Sequence, residues 1–177
     1  ADGKPLDISY QPGLTHRVTI QQANSAYPKA SGVLDFVPAG GGGLTRRDVV
    51  ATATCNTCHN ELTAHGTRVD TRLCVTCHNP GSWVAGAPNT TVDFKAMIHR
   101  IHYNNNGAAL PSVAAGTPYK IDNADFSEVV FTQDVRNCTR CHDGTPGAAN
   151  ATAQGDNWKM QPNAVACGSC HDDVYFG

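Results

Sequence analysis

One pentapeptide, used four times, organises this chain. Cys55-Asn56-Thr57-Cys58-His59 is followed by Cys74-Val75-Thr76-Cys77-His78, Cys138-Thr139-Arg140-Cys141-His142 and Cys167-Gly168-Ser169-Cys170-His171. The start-to-start spacings of 19, 64 and 29 residues have no fixed period, so this is a repeated binding motif and not a solenoid. Eight cysteines alone suggest a disulfide framework. Two Cys-x-x-Cys pairs can hold a tetrahedral zinc, and a lone pair can do thioredoxin-like redox chemistry. None of these needs a histidine directly after the second cysteine. Here it follows every time, with no cysteine left over. At this histidine content, chance gives that result on the order of a few times in a million. Cys-x-x-Cys-His is the attachment signature of c-type haem: the thiols add to the haem vinyl groups, and the histidine is the proximal ligand of the iron.

The histidine count sharpens the reading. Of eight histidines, His59, His78, His142 and His171 are proximal, which leaves His16, His65, His99 and His102 for four distal positions. Supply equals demand, so each of four haem c irons is expected to be bis-histidine ligated. The methionine alternatives are Met97 and Met160, and Met97 is better explained as a core position of a helix. An iron with both axial sites filled has no place for a substrate and changes redox state with little ligand rearrangement. The sequence therefore predicts an electron-transfer protein and not an enzyme.

The rest of the chain fits a haem-filled core. Only 40% of residues are apolar, and 17 glycines and 10 prolines favour turns over long elements. The predicted fold is a multihaem cytochrome, mostly irregular, with short helices, a few short N-terminal strands and a core formed by four haems. At about 44 residues per haem, the porphyrins must pack close together. Residues 1–177 read as one tetrahaem domain, with a strand-like arm over 1–50 and the haem-binding region over 51–177. Thr15 to Ile20 alternates with period two, putting His16, Val18 and Ile20 on one face, and a second strand is expected from Gly32 to Val37. Gly40 to Gly43 is a flexible break.

In the long insert, Asp93 can N-cap a helix through Phe94, Met97, Ile98 and Ile101. This helix carries His99 and His102 three apart on nearly one face, placed to serve two different haems. Asn104 to Tyr119 reads as a loop and Ser127 to Thr132 as a strand. Helices are expected to begin within the haem motifs and run a turn or two beyond, as over Glu61 to His65. A net charge of −2, made more negative by haem propionates, argues against nucleic acid. No run is long enough for a membrane span. Ala1-Asp2-Gly3 reads as the start of a mature, processed protein, and without a cysteine there, no lipid anchor is expected at that end.

The run CNTCHNELTAHGTR from Cys55 to Arg68, CVTCHNP from Cys74, DFKAMIHRIH from Asp93, VVFTQDVRNCTRCH and the closing CGSCHDDVYF resemble the haem-bearing halves of OmcA/MtrC-type outer-membrane cytochromes. The resemblance covers roughly residues 50–176. It implies an extracellular or cell-surface location, redox-protein donors, external electron acceptors, and His65, His99 and His102 as distal ligands. The family's halves carry five haems, and this chain has four motifs. In that respect it is similar to OmcE-type cytochromes, which polymerise into extracellular filaments with a histidine of one subunit ligating a haem of the next. His16 is then expected to reach a neighbour's last haem, at Cys167, Cys170 and His171. The alternatives are a monomeric periplasmic or cell-surface tetrahaem shuttle, with His16 ligating in its own chain, and a multihaem reductase with an open iron site.

Overall fold

The computed structural model describes residues 8–103 and 109–176. The reading of Ala1-Asp2-Gly3 and the first part of the loop from Asn104 lie outside the described residues. The period-two segment forms β1 (His16–Gln21), paired antiparallel with β2 (Ser31–Phe36), with His16 opposite Phe36 and Arg17 opposite Asp35. His16, Val18 and Ile20 do share a face, with Leu34 and Phe36 across from them. That face points outward: Ile20 is 71% and Leu34 62% exposed. The polar face holds the hairpin in place. Arg17 donates to Asp35 at 2.7 Å and to the Arg72 carbonyl at 3.3 Å, and Arg68 donates to Gln21 at 2.7 Å. The glycine run turns the chain back, with φ of 71° at Gly40 and Gly41, so that the Thr45 amide donates to Thr15 and Arg46 pairs with Asp35.

The first two motifs end two joined helices, α1 (Thr52–His59) and α2 (Thr71–Cys74). The Thr52 and Thr71 hydroxyls lie 2.8 Å apart, and the Thr71 amide donates to Thr52 Oγ1. Asp70 caps α2 by accepting from the Arg72 amide at 2.8 Å and the Arg72 guanidinium at 2.7 Å. The helices do not continue past their motifs as expected. Asn60 leaves α1 with φ of 59°, and residues 64–68 form a tight turn in which Ala64 and Arg68 exchange backbone hydrogen bonds.

A hairpin of β3 (Trp83–Val84) and β4 (Ala87–Thr91) leads into α3 (Phe94–Ile101). Asp93 caps α3 through the Lys95 amide, as read from the sequence, and Ala96 and Met97 are buried. The expected loop contains α4 (Pro111–Ala114), opened by a proline and held by Asp172, which accepts from the Ser112 amide and hydroxyl. A second small hairpin follows, β5 (Lys120–Ile121) with β6 (Ala124–Asp125). Ser127 to Thr132 is not a strand. Ser127 is drawn into a turn by Asp125, which accepts from its amide and hydroxyl, and this local bonding outcompetes strand propensity. A 3-10 turn over Cys138–Arg140, then α5 (Asn157–Met160) and α6 (Ala164–Cys167) complete the chain.

The two ends of the motif-bearing stretch are stitched together. Thr152 donates to the Val49 carbonyl at 2.9 Å, and the Gln154 amide to that of Asp48 at 3.0 Å. Gly155 passes so close to Asp143 that a Cβ would stand 2.2 Å from its carbonyl oxygen. Side chains supply only a thin apolar core: among the described residues, Leu73, Ala96, Met97, Leu110 and Tyr119 are its buried members. The chain exposes 11707 Å², against the roughly 8,300 Å² of a compact monomer of this length. Among the described residues no helix is long and apolar enough to cross a membrane.

Candidate functional site

The motifs share one local geometry. The histidine amide donates back to the carbonyl of the first cysteine, from His78 to Cys74 at 2.9 Å, His142 to Cys138 at 2.8 Å and His171 to Cys167 at 3.0 Å. In the first motif, Cys55 to His59 is the last turn of α1. One helical turn brings positions i, i+3 and i+4 to one side, which lets two thioethers and one imidazole address a single porphyrin.

The distal candidates fall into pairs with the motif histidines. The His59 and His102 ring centroids are 5.9 Å apart, those of His65 and His78 also 5.9 Å, and those of His99 and His142 6.0 Å. Metal–imidazole bonds of about 2 Å on each side, plus roughly 1.1 Å from nitrogen to ring centre, put two axial imidazoles about 6 Å apart. Three pairs thus stand at the spacing an iron between them requires. His65 is delivered from the tight turn, with φ of 47° and Gly66 after it at 82°. His99 and His102 come from α3, one turn apart, and face different motifs.

Hydrogen bonds orient several of these rings. His78 Nδ1 lies 3.0 Å from the Val92 carbonyl and His102 Nδ1 2.8 Å from that of Ile98, which turns each Nε2 away from the backbone. Burial favours the neutral imidazole, the form that binds metal: it pushes His99 down to about 4, with His142, His102 and Lys95 adding to the effect, and lowers His142 and His65. The thiols divide. Burial raises Cys55, Cys74 and Cys170, whereas the Arg140 guanidinium lowers Cys58.

His16 and His171 stand apart. Among the described residues neither has an imidazole stacked against it. The rings around His16 are Tyr10 at 5.7 Å and Phe36 at 6.0 Å, and its Nε2 is 3.0 Å from the Gln11 carbonyl. The fourth motif is fixed from another side. Lys95 donates to Asn163, the cap of α6, at 2.9 Å, and Arg100 donates to the Gly168 carbonyl at 3.2 Å. Sequence reading missed Arg140, whose guanidinium crosses from the third motif to Thr57 at 3.1 Å and Cys58 at 3.5 Å in the first. Its only signal was its place inside a motif.

The residues fit haem c better than the rivals. No two of the eight sulfurs are bonded to each other. Among the described residues no three His, Cys, Asp or Glu side chains converge as a zinc site requires. Among the described residues, buried His99 Nδ1 and His142 Nδ1 lack hydrogen-bond partners, and the chain leaves many large apolar side chains exposed for a large apolar group to cover.

Comparison with known proteins agrees. A family model for outer membrane cytochrome MtrC/MtrF-like proteins, domains II/IV, matches residues 47–176. The chain is 30% identical over 179 residues to the multiheme cytochrome MtrC of Shewanella baltica (strain OS185), covering 96% of this chain and 22% of that protein. It superposes on the crystal structure of the outer membrane decaheme cytochrome OmcA with a TM-score of 0.75 at 27% identity, covering 95% of this chain and 25% of that one. The chain thus spans about a quarter of the length of each relative.

Proposed function

Because the chain belongs to the outer membrane cytochrome MtrC/MtrF-like family, we propose that it conducts electrons at the cell surface through four covalently held haems. When bound, haem c supplies reversible one-electron chemistry at its iron. The protein's part is to hold and orient it. Residues 1–177 are read as one tetrahaem unit, with four porphyrins completing the thin side-chain core. The cysteine pairs 55/58, 74/77, 138/141 and 167/170 are the attachment points, and His59, His78, His142 and His171 the proximal ligands. The pairing His59–His102, His78–His65 and His142–His99 supplies the distal ligands, and the three 6 Å separations are the observation that carries this reading. With both faces of an iron taken by rigidly held imidazoles, a small substrate has no point of attack, which favours conduction over catalysis. Donors are other redox proteins, and acceptors lie outside the cell.

One experiment tests it. Mass spectrometry of the protein matured in a haem-c-competent host should give a mass increase of four haems, and reduced spectra should be low-spin. Fewer than four attached haems would sink the count. High-spin iron at the first three motifs would sink the pairing.

The OmcE-like filament reading concerns the sixth ligand of the fourth haem. His16 lies on the outward apolar face of its hairpin, and among the described residues both His16 and His171 lack an imidazole partner. These observations favour His16 of one copy ligating the fourth haem of another, once its ring leaves Gln11. Electron micrographs of the purified holoprotein distinguish the cases. Filaments lost on His16→Ala support this assignment. Discrete particles with an unchanged low-spin count in that variant overturn it and leave the monomeric shuttle or a ligand supplied by another segment.

A further inference from the structure

Among the described residues, two hydrogen-bond donors beside the fourth motif are buried and have nothing to bind. Tyr119 is 6% exposed, yet its phenol oxygen has no hydrogen-bond partner. Arg100 Nε is likewise buried and without a partner. The two belong to one cluster, since the Arg100 guanidinium carbon sits 5.8 Å from the centre of the Tyr119 ring. Buried polar groups are almost always satisfied, so a pair of adjacent orphans marks a place where a ligand atom is expected.

The chemistry of the pair specifies that ligand. Both groups can donate, the guanidinium can only donate, and it carries a fixed positive charge. A carboxylate is the complement of such a pair. Burial pushes the phenol up to about 12 while Arg100 works against it, so the hydroxyl keeps its proton throughout the physiological range. The donors are also held in advance. The Tyr119 amide donates to Ser127 Oγ at 2.8 Å, and the Tyr119 carbonyl accepts from the Phe126 amide at 2.9 Å, tying the residue to the β5–β6 hairpin. Arg100 projects from α3 with its Nη2 on the Gly168 carbonyl, inside Cys167-Gly168-Ser169-Cys170.

Given the tetrahaem reading above, we propose that Tyr119 and Arg100 together hold one propionate of the haem attached at Cys167 and Cys170. Arg100 then has two tasks, one on the backbone of the attachment motif and one on the carboxylate of the group it attaches. Both donors draw negative charge away from the iron, which raises the potential of that haem relative to one whose propionate faces water.

The test is a redox titration of the holoprotein, with resonance Raman spectra of the propionate bending region. Haem content by pyridine haemochrome, unchanged at four, keeps a failure of this proposal distinct from a failure of the tetrahaem reading. Tyr119→Phe, which removes one oxygen, should lower one midpoint, leave the others in place and shift one propionate band. Arg100→Gln should lower the same midpoint further, with the double variant falling short of the sum. Arg100→Lys should restore the charge but not the band position. Removing the fourth haem with Cys167→Ala and Cys170→Ala should abolish the effect of Tyr119→Phe. Four unchanged midpoints and an unshifted band in Tyr119→Phe would overturn the proposal. A Tyr119→Phe shift that persists without the fourth haem would overturn its assignment.

Discussion

His59 and His102 face each other with ring centroids 5.9 Å apart and ring planes at 87°. The other two pairs are much closer to parallel, at 30° for His65 with His78 and 32° for His99 with His142. The relative orientation of axial imidazoles sets how the iron d-orbitals split, so the oxidised protein should give two kinds of low-spin signal. From these three pairs, low-temperature electron paramagnetic resonance should show one strongly anisotropic centre and two rhombic ones, beside the signal of the fourth iron. The absence of any strongly anisotropic signal would contradict the perpendicular arrangement at the first motif.

Removing a distal imidazole should open one iron and no more. His65→Ala, His99→Ala and His102→Ala should each add about one equivalent of carbon monoxide binding to the reduced protein and convert one low-spin centre to high-spin. Titration with the gas counts the sites. A variant that binds no more than the parent would show that its histidine is not a ligand.

Asp35 ties the hairpin to the rest of the chain and predicts a pH dependence. The Arg17 hydrogen bond, with Arg17 and Arg46 charge, holds its carboxyl below the unfolded value of 3.8. A carboxylate with a depressed folded pKa stabilises fully above the unfolded value and loses that contribution as pH falls through the folded one. Protection against hydrogen exchange over β1 and β2, taken relative to the intrinsic amide rate at each pH, should therefore be flat at neutral pH and fall below about pH 4. Asp35→Asn should flatten the acid limb and cost about 1–3 kcal/mol at neutral pH, because it leaves a half-buried guanidinium short of its partner.

Two glycines should behave differently. At Gly155 a Cβ would meet the Asp143 carbonyl at 2.2 Å, so Gly155→Ala forces apart the backbone next to His142. A loss of about 1–3 kcal/mol is expected, with a perturbed third-motif signal. At Gly66 there is open space but φ is 82°, so Gly66→Ala should cost about 1 kcal/mol and act through the placement of His65. Thermal melts of the holoprotein measure both.

The family was legible in the sequence because its repeated motif has a strict spacing: two cysteines and a histidine within five residues admit few alternatives. The α3 helix was legible too, since Asp93 as cap and Met97 on the buried face obey local rules. The turn at residues 64–68 was not, because His65 takes a positive φ that its residue type does not announce. Ser127 to Thr132 failed for a similar reason: a side-chain bond from Ser127 to Asp125 decided the backbone against strand propensity. The outward apolar face of β1 and β2 was also hidden. Period two marks which residues share a face but not which face the protein covers. Arg100 and Tyr119, brought together across the insert, carry no motif at all.

His99 in α3 and His102 at its end address two different motifs. His102 stands against the first attachment site and His99 against the third, and Arg140 bridges the same two sites. Neighbours in space are therefore not neighbours in order of synthesis. One helical turn in the middle of the chain thus reaches two motifs that flank it in sequence, and displacing that turn would disturb both at once.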